Sequence, residues 1–186
     1  MASWSRIATR LRVPLGFLFA LAYLWLARPV WWSIALGAGL VIAGLVVRGL
    51  ASGHIQKNAA LATTGPYAYT RNPLYLGSIL IAVGFLVSAL DAPITFATAV
   101  LFVVIYLPVI RAEEAYLRSA FAEYADYSAN VPRLLPRLTP YRAGTTEGQG
   151  EFSRALYMRH REYNAILGSL VVMVALILKM VLVHRH

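Results

Sequence analysis

Residues 72–90 read Asn-Pro-Leu-Tyr-Leu-Gly-Ser-Ile-Leu-Ile-Ala-Val-Gly-Phe-Leu-Val-Ser-Ala-Leu, with no charge in the whole stretch. The apolar residues are continuous and do not alternate, so the segment reads as a helix and not as a barrel strand. Its length matches the ~20 residues that cross a ~30 Å hydrocarbon core. Four further runs share this character. They are Val13–Ala27, Pro29–Val47, Ala92–Ile110 and Tyr163–Leu178, the last reaching Val183 if Lys179 snorkels. The expected fold is an all-α integral membrane protein of about five transmembrane helices plus cytoplasmic amphipathic helices.

Composition agrees. Of 186 residues, 59% are apolar or aromatic and 13% are charged, too few to cover a soluble domain of this size. A disordered chain would bury far less. There is no cysteine, which excludes disulfide scaffolds, thiolate metal sites and cysteine nucleophiles. The net charge of +9 suits cytoplasmic loops and anionic headgroups in a chain this apolar, so no nucleic-acid partner is expected. With the N-terminus inside, all of the 17 Lys and Arg except Arg28, Lys179 and Arg185 fall on the cytoplasmic side. The reverse orientation inverts that ratio. Arg6, Arg10 and Arg12 followed by an apolar run imitate a signal peptide, but the run continues past Ala20-Leu21-Ala22, so a retained helix is expected.

Three regions follow. Residues 1–50 form an N-terminal transmembrane hairpin, in which Ala35, Gly39 and Ala43 are spaced for close helix packing. Residues 51–140 hold two spans, joined tightly at Asp91-Ala92-Pro93, and a cytoplasmic helix that continues the second span with Glu114, Leu117, Phe121 and Tyr124 on one face. Residues 141–186 hold a linker at 142–150, a basic surface helix over 153–163 and the last span.

Two segments carry polar and aromatic groups beside the membrane. The first is Gly65-Pro66-Tyr67-Ala68-Tyr69-Thr70-Arg71-Asn72-Pro73-Leu74-Tyr75-Leu76-Gly77. Pro73 opens a helix whose first N–H groups are free, and Arg71 and Asn72 beside it suit a carboxylate or phosphate. Tyr67, Tyr69 and Tyr75 either face a purine or cation or form an interfacial belt. The second segment begins at Glu113-Glu114 and runs through Phe121, Tyr124 and Tyr127 to Val131-Pro132-Arg133. Paired carboxylates at a membrane boundary are functional candidates. One could accept hydrogen bonds from an ammonium or from ribose hydroxyls; alternatively they pair with Arg111 or Arg118 on the same helix. His54, His160, His184 and His186 make no ligand set, so no metal site is expected.

Both segments resemble the isoprenylcysteine carboxyl methyltransferase and phospholipid methyltransferase superfamily, integral-membrane enzymes that use S-adenosylmethionine. The matching residues are Gly65-Pro66-Tyr67, then Arg71, Pro73, Tyr75 and Gly77, then Glu113-Glu114 and Val131-Pro132-Arg133, within about 52–136. The resemblance implies methyl transfer to a lipophilic acceptor: a prenylcysteine-like carboxylate, a lipid amine or a small hydrophobic molecule. It implies that Leu61, Tyr67, Arg71, Asn72, Pro73, Tyr75 and Glu113 bind the cofactor, and it leaves Arg71, Arg111 and Glu114 as catalytic candidates. Two departures stand out. Asn72 replaces the family histidine and cannot titrate. Val109 stands where the enzyme acting on prenylcysteine has a substrate-binding arginine, with Arg111 two residues off. A membrane NADPH-dependent reductase and a non-catalytic scaffold of the same fold are the alternatives. The expected setting is a bacterial or archaeal inner membrane, with the endoplasmic reticulum as the alternative, and the last span could serve as anchor, oligomer contact or groove wall.

Overall fold

The computed structural model describes residues 18–55, 60–142 and 151–183. The start of the first apolar run, the basic N-terminal arginines, Lys57, most of the linker and the terminal His184-Arg185-His186 lie outside the described residues. The described chain is all-helical, with no strand. Helix α1 covers 18–26, α2 Trp31–His54, α3 Pro73–Ala89, α4 Ala92–Ala120, α5 Tyr124–Asn130, α6 Arg154–Arg159 and α7 Tyr163–Val183; a 3-10 turn spans Gly65–Ala68.

Among the described residues, three helices, α2, α4 and α7, are long and apolar enough to cross a membrane. The chain is a membrane protein. Helix α3 has 17 residues, the lower limit for a span, and α1 is described over 18–26 alone. The 29 residues of α4 extend ~43 Å, beyond the ~30 Å hydrocarbon core, so its polar end stands clear of the lipid.

The helices alternate in direction, and two clusters mark the ends of the bundle. At one end Tyr23, Ala27, Ile34, Ala89, Ile94, Leu176 and Met180 pack together. There the Tyr23 hydroxyl donates to the Phe85 carbonyl at 2.7 Å, and Lys179 Nζ donates to the Leu24 and Trp25 carbonyls at the end of α1. Lys179 thus finds partners that let α7 run on to Val183. Leu90 takes a left-handed conformation and the Asp91 side chain accepts from Ile94 N at 2.9 Å, which makes the expected tight link to α4. At the other end Leu61, Tyr124, Tyr127 and Val131 form a second cluster with Leu117, Phe121 and Tyr141.

Helix α2 lies along α3, and the contact is made by glycines. A Cβ on Gly44 would sit 2.6 Å from the Gly77 carbonyl, and one on Gly77 would sit 2.7 Å from the Gly44 carbonyl; Gly37 and Gly84 repeat the arrangement two turns away. This corrects the expected packing stripe. Ala35, Gly39 and Ala43 face outward, and nothing lies within 4 Å of a Cβ on Gly39. The turn leading into α7 is tied to the bundle at Glu162, where Arg48 donates to both carboxylate oxygens at 2.9 and 3.0 Å and to Ser78 Oγ.

Two expected helices are shorter than their patterns suggest. The fourth helix stops at Ala120, and Tyr124 begins α5 instead of continuing the same face; Leu117, Phe121 and Tyr124 nonetheless meet in one cluster because the chain turns back on itself there. The basic helix ends at Arg159, and Arg161 adopts φ 53° before α7 starts.

Candidate functional site

The site lies at the end of the bundle where α2 and α4 finish and α3 begins. Its frame is the 65–72 segment sewn to the 132–141 segment. Arg71 N donates to the Pro132 carbonyl at 3.0 Å, Arg137 N to Tyr69 at 2.9 Å and Tyr141 N to Ala68 at 2.9 Å. Thr70 Oγ1 lies 3.1 Å from the carbonyls of both Arg133 and Leu134. The buried Tyr127 hydroxyl donates to the Tyr67 carbonyl at 2.7 Å. Gly65 opens this frame at φ +58°, against the His54 ring, where a Cβ would come within 2.5 Å. Burial pushes the hydroxyls of Tyr67 and Tyr127 well above the usual tyrosine range, so both stay protonated struts.

Glu114 is the electrostatic centre of this frame. Its two oxygens accept from Arg133 at 2.6 and 3.1 Å, a fork-to-fork pair. That hydrogen bonding raises the already high Arg133 pKa. Arg71 approaches Glu114 Oε1 at 3.5 Å, and Asn72 Nδ2 lies at the same distance while donating to the Arg133 carbonyl at 3.0 Å. Glu114 pairs across the fold, therefore, and not with Arg111 or Arg118 along its own helix. Asn72 acts as a donor between two segments. The Arg71 Nε and the Tyr124 hydroxyl are buried without a well-directed hydrogen bond, and the two side chains lie close enough for the arginine to act on that hydroxyl.

Glu113, one residue earlier, points elsewhere. It accepts from the Tyr75 hydroxyl at 3.0 Å and lines a cavity of about 230 Å³, partly open to the exterior. All seven residues named as cofactor contacts from the sequence line this one cavity: Leu61, Tyr67, Arg71, Asn72, Pro73, Tyr75 and Glu113. Tyr116, Leu117, Phe121 and Tyr127 complete its aromatic and apolar wall. Its lining includes both a guanidinium, Arg71, and a carboxylate, Glu113. Such a cavity can hold a zwitterion by its two ends and a flat ring between aromatic faces. Below it the Tyr75 ring meets Tyr106 edge-on at 5.9 Å, and Tyr106 stacks on Phe102 at 4.9 Å, an aromatic path between α3 and α4 towards the apolar part of the bundle.

Not every candidate comes here. Tyr69 is exposed and does not line the cavity. Of the three catalytic candidates, Arg71 lines the cavity and Glu114 stands behind it, whereas Arg111 lies on another face of α4, exposed and away from it. Val109 is exposed. Tyr127 and Arg133 lie within the quoted motifs, and the structure adds their roles: Tyr127 ties α5 to the Tyr67 carbonyl and Arg133 pairs with Glu114, which no spacing in the sequence signals.

An all-helical membrane bundle with a polar, aromatic-walled cavity at one end is the class this fold defines. Residues 15–124 match the phospholipid methyltransferase family, and the chain belongs to that family. It is also similar to the cobalt-zinc-cadmium resistance protein CzcN of Cupriavidus metallidurans, 38% identical over 49% of this chain and 42% of that protein. Its similarity to the nickel-cobalt-cadmium resistance protein NccN of Alcaligenes xylosoxydans xylosoxydans is likewise 38%, over 49% of this chain and 43% of that protein. The chain thus matches less than half the length of these curated relatives. No solved structure matches it.

Proposed function

We propose that the chain is a membrane methyltransferase that uses S-adenosylmethionine to methylate a lipophilic acceptor. One observation carries this reading: a single cavity gathers the Arg71 guanidinium and the Glu113 carboxylate among tyrosines, next to an aromatic path into the bundle. The residues fit the cofactor. Arg71 would hold the methionine carboxylate and Glu113 the ammonium or ribose hydroxyls. Tyr67, Tyr127 and Phe121 would face the purine, with Leu61 and Leu117 on its apolar edges. When bound, the cofactor supplies a methyl group already activated on a sulfonium.

The protein's own work is then positioning and exclusion of water. Glu114, itself fixed by Arg133, holds the Arg71 guanidinium at the cavity wall. Asn72 is engaged in hydrogen bonds to backbone and carboxylate and does not titrate, so no proton is handled at that position. An acceptor that arrives as a carboxylate needs no base, and an amine must arrive neutral or lose its proton. Phe102, Tyr106 and Tyr75 would guide a lipophilic acceptor sideways between α3 and α4. The names of the two relatives concern metal resistance and identify no acceptor.

The site end of the bundle carries Arg48, Arg71, Arg111, Arg118, Arg133 and Arg137, while Arg28 and Lys179 lie at the other. That bias supports a cytoplasmic site and N-terminus in a bacterial or archaeal inner membrane. Helix α7 leaves a broad apolar face exposed, from Ile166 to Leu182, which would meet lipid or a second copy.

The function is tested by incubating membranes that contain the protein with S-adenosylmethionine tritiated on the methyl group. The reading requires label in the organic extract that depends on the protein and is lost in Arg71→Ala. An extract with no protein-dependent label, across membranes supplying prenylcysteine and lipid-amine acceptors, would contradict it.

A further inference from the structure

Helix α4 has two working faces at its polar end. Glu113, Tyr116 and Leu117 line the cavity described above. Arg111, Ala115 and Arg118 line a second, open pocket of about 220 Å³ together with Glu114 and Arg133. The mechanism uses nothing in this second pocket except Glu114 and Arg133, as supports.

Its charge is unbalanced. Three arginines face one carboxylate, and that carboxylate is already shared between Arg133 and Arg71. Neither Arg111 nor Arg118 has an ion-pair or hydrogen-bond partner among the described residues. The two stand seven residues apart, two turns or ~10 Å along one face of the helix. Arg133 enters from the 131–134 segment, held rigidly by Glu114. Arg111, Arg118 and Arg133 lining one small pocket suit an oxyanion with several acceptor oxygens, Arg111 and Arg118 with whole forks and Arg133 with the N–H groups it does not give to Glu114. The placement narrows the choice. Arg111 directly follows the apolar run that ends at Ile110, so the pocket stands at the edge of the hydrocarbon layer, beside the exposed Val109 and Tyr116. Anionic headgroups are concentrated at that depth.

We propose that the Arg111–Arg118–Arg133 pocket binds the phosphate of an anionic lipid headgroup, separately from the cavity on the Glu113 face. The inference does not rest on methyl transfer, and its test uses neither cofactor nor acceptor, so either reading can fail without the other.

The test is thermal unfolding of the full chain, purified in detergent, with short-chain phosphatidylglycerol, phosphatidylcholine or inorganic phosphate added. At ten times its Kd, phosphatidylglycerol should raise the Tm by about 3–5 °C. Phosphatidylcholine should do less, since its choline meets a cationic pocket, and inorganic phosphate should do little. Arg111→Gln/Arg118→Gln should keep its Tm in detergent alone and lose the phosphatidylglycerol increment. Arg111→Lys/Arg118→Lys, which keeps the charge but not the fork, should regain part of it. An undiminished increment in the glutamine variant would overturn the proposal, as would equal increments from the two lipids. Inorganic phosphate reproducing the full increment would assign the pocket to a soluble anion and overturn its lipid occupant.

Discussion

The adjacent glutamates at the end of α4 show how far one residue of register divides two jobs. Glu113 is half-buried and faces the cavity; Glu114 is buried and faces the arginines. Different losses are expected from the same substitution. Glu113→Gln should weaken binding of S-adenosylhomocysteine about 10- to 100-fold, the worth of a hydrogen bond to a charged group, with little change in stability. Unchanged affinity in a titration would remove Glu113 from the site. Glu114→Gln should instead lower stability by about 2–4 kcal/mol, measured by denaturant or thermal unfolding in detergent. The expected cost is below the ~3–5 kcal/mol of a fully buried pair because Arg133 is 43% exposed. The tyrosine struts add a pH signature. Tyr67 and Tyr127 are held neutral in the folded chain above their ordinary value of 10.0, so their contribution is complete below pH 10 and is lost as the pH rises past it, when the unfolded chain ionises first. The denaturation midpoint should fall between pH 10 and 11, and Tyr127→Phe should fall less.

At the scale of elements, the glycine crossing of α2 on α3 decides where Pro73 and the cavity floor stand. Gly44→Ala forces a methyl against the Gly77 carbonyl and should cost about 1–3 kcal/mol, while Gly39→Ala should be neutral or slightly stabilising. Equal effects in unfolding titrations would contradict the crossing. The pair also shows what could be read in advance. Long uncharged runs give helices whatever their neighbours, so α2, α4 and α7 were readable in composition alone. Which glycines face a partner was not, because α2 is apolar on every side and both stripes, 35-39-43 and 37-44, satisfy the spacing. The breaks at Phe121 and at His160 were hidden for a related reason: the apolar spacing 114-117-121-124 suits a continuous helix, and only the return of the chain towards Leu61 ends it. Six of the seven named cavity residues sit in two motifs and Leu61 came only from the family resemblance, while Glu114's partners were not readable, since Arg111 and Arg118 are nearer in sequence than Arg133.

For the whole molecule, the charge bias predicts a direction across the membrane. The chain has no cysteine, so single cysteines report cleanly. Leu138→Cys, at the site end and 99% exposed, should react with an impermeant maleimide only in inverted vesicles. Arg28→Cys, exposed in the link between α1 and α2 at the opposite end, should react only in right-side-out ones. The reverse pattern would place the site on the other face. The most direct measurement is calorimetric titration of the detergent-purified protein with S-adenosylhomocysteine, with NADPH run in parallel. Cofactor use at the Arg71–Glu113 cavity predicts micromolar binding of S-adenosylhomocysteine and none of NADPH. Binding of NADPH alone, or of neither by demonstrably folded protein, would contradict it.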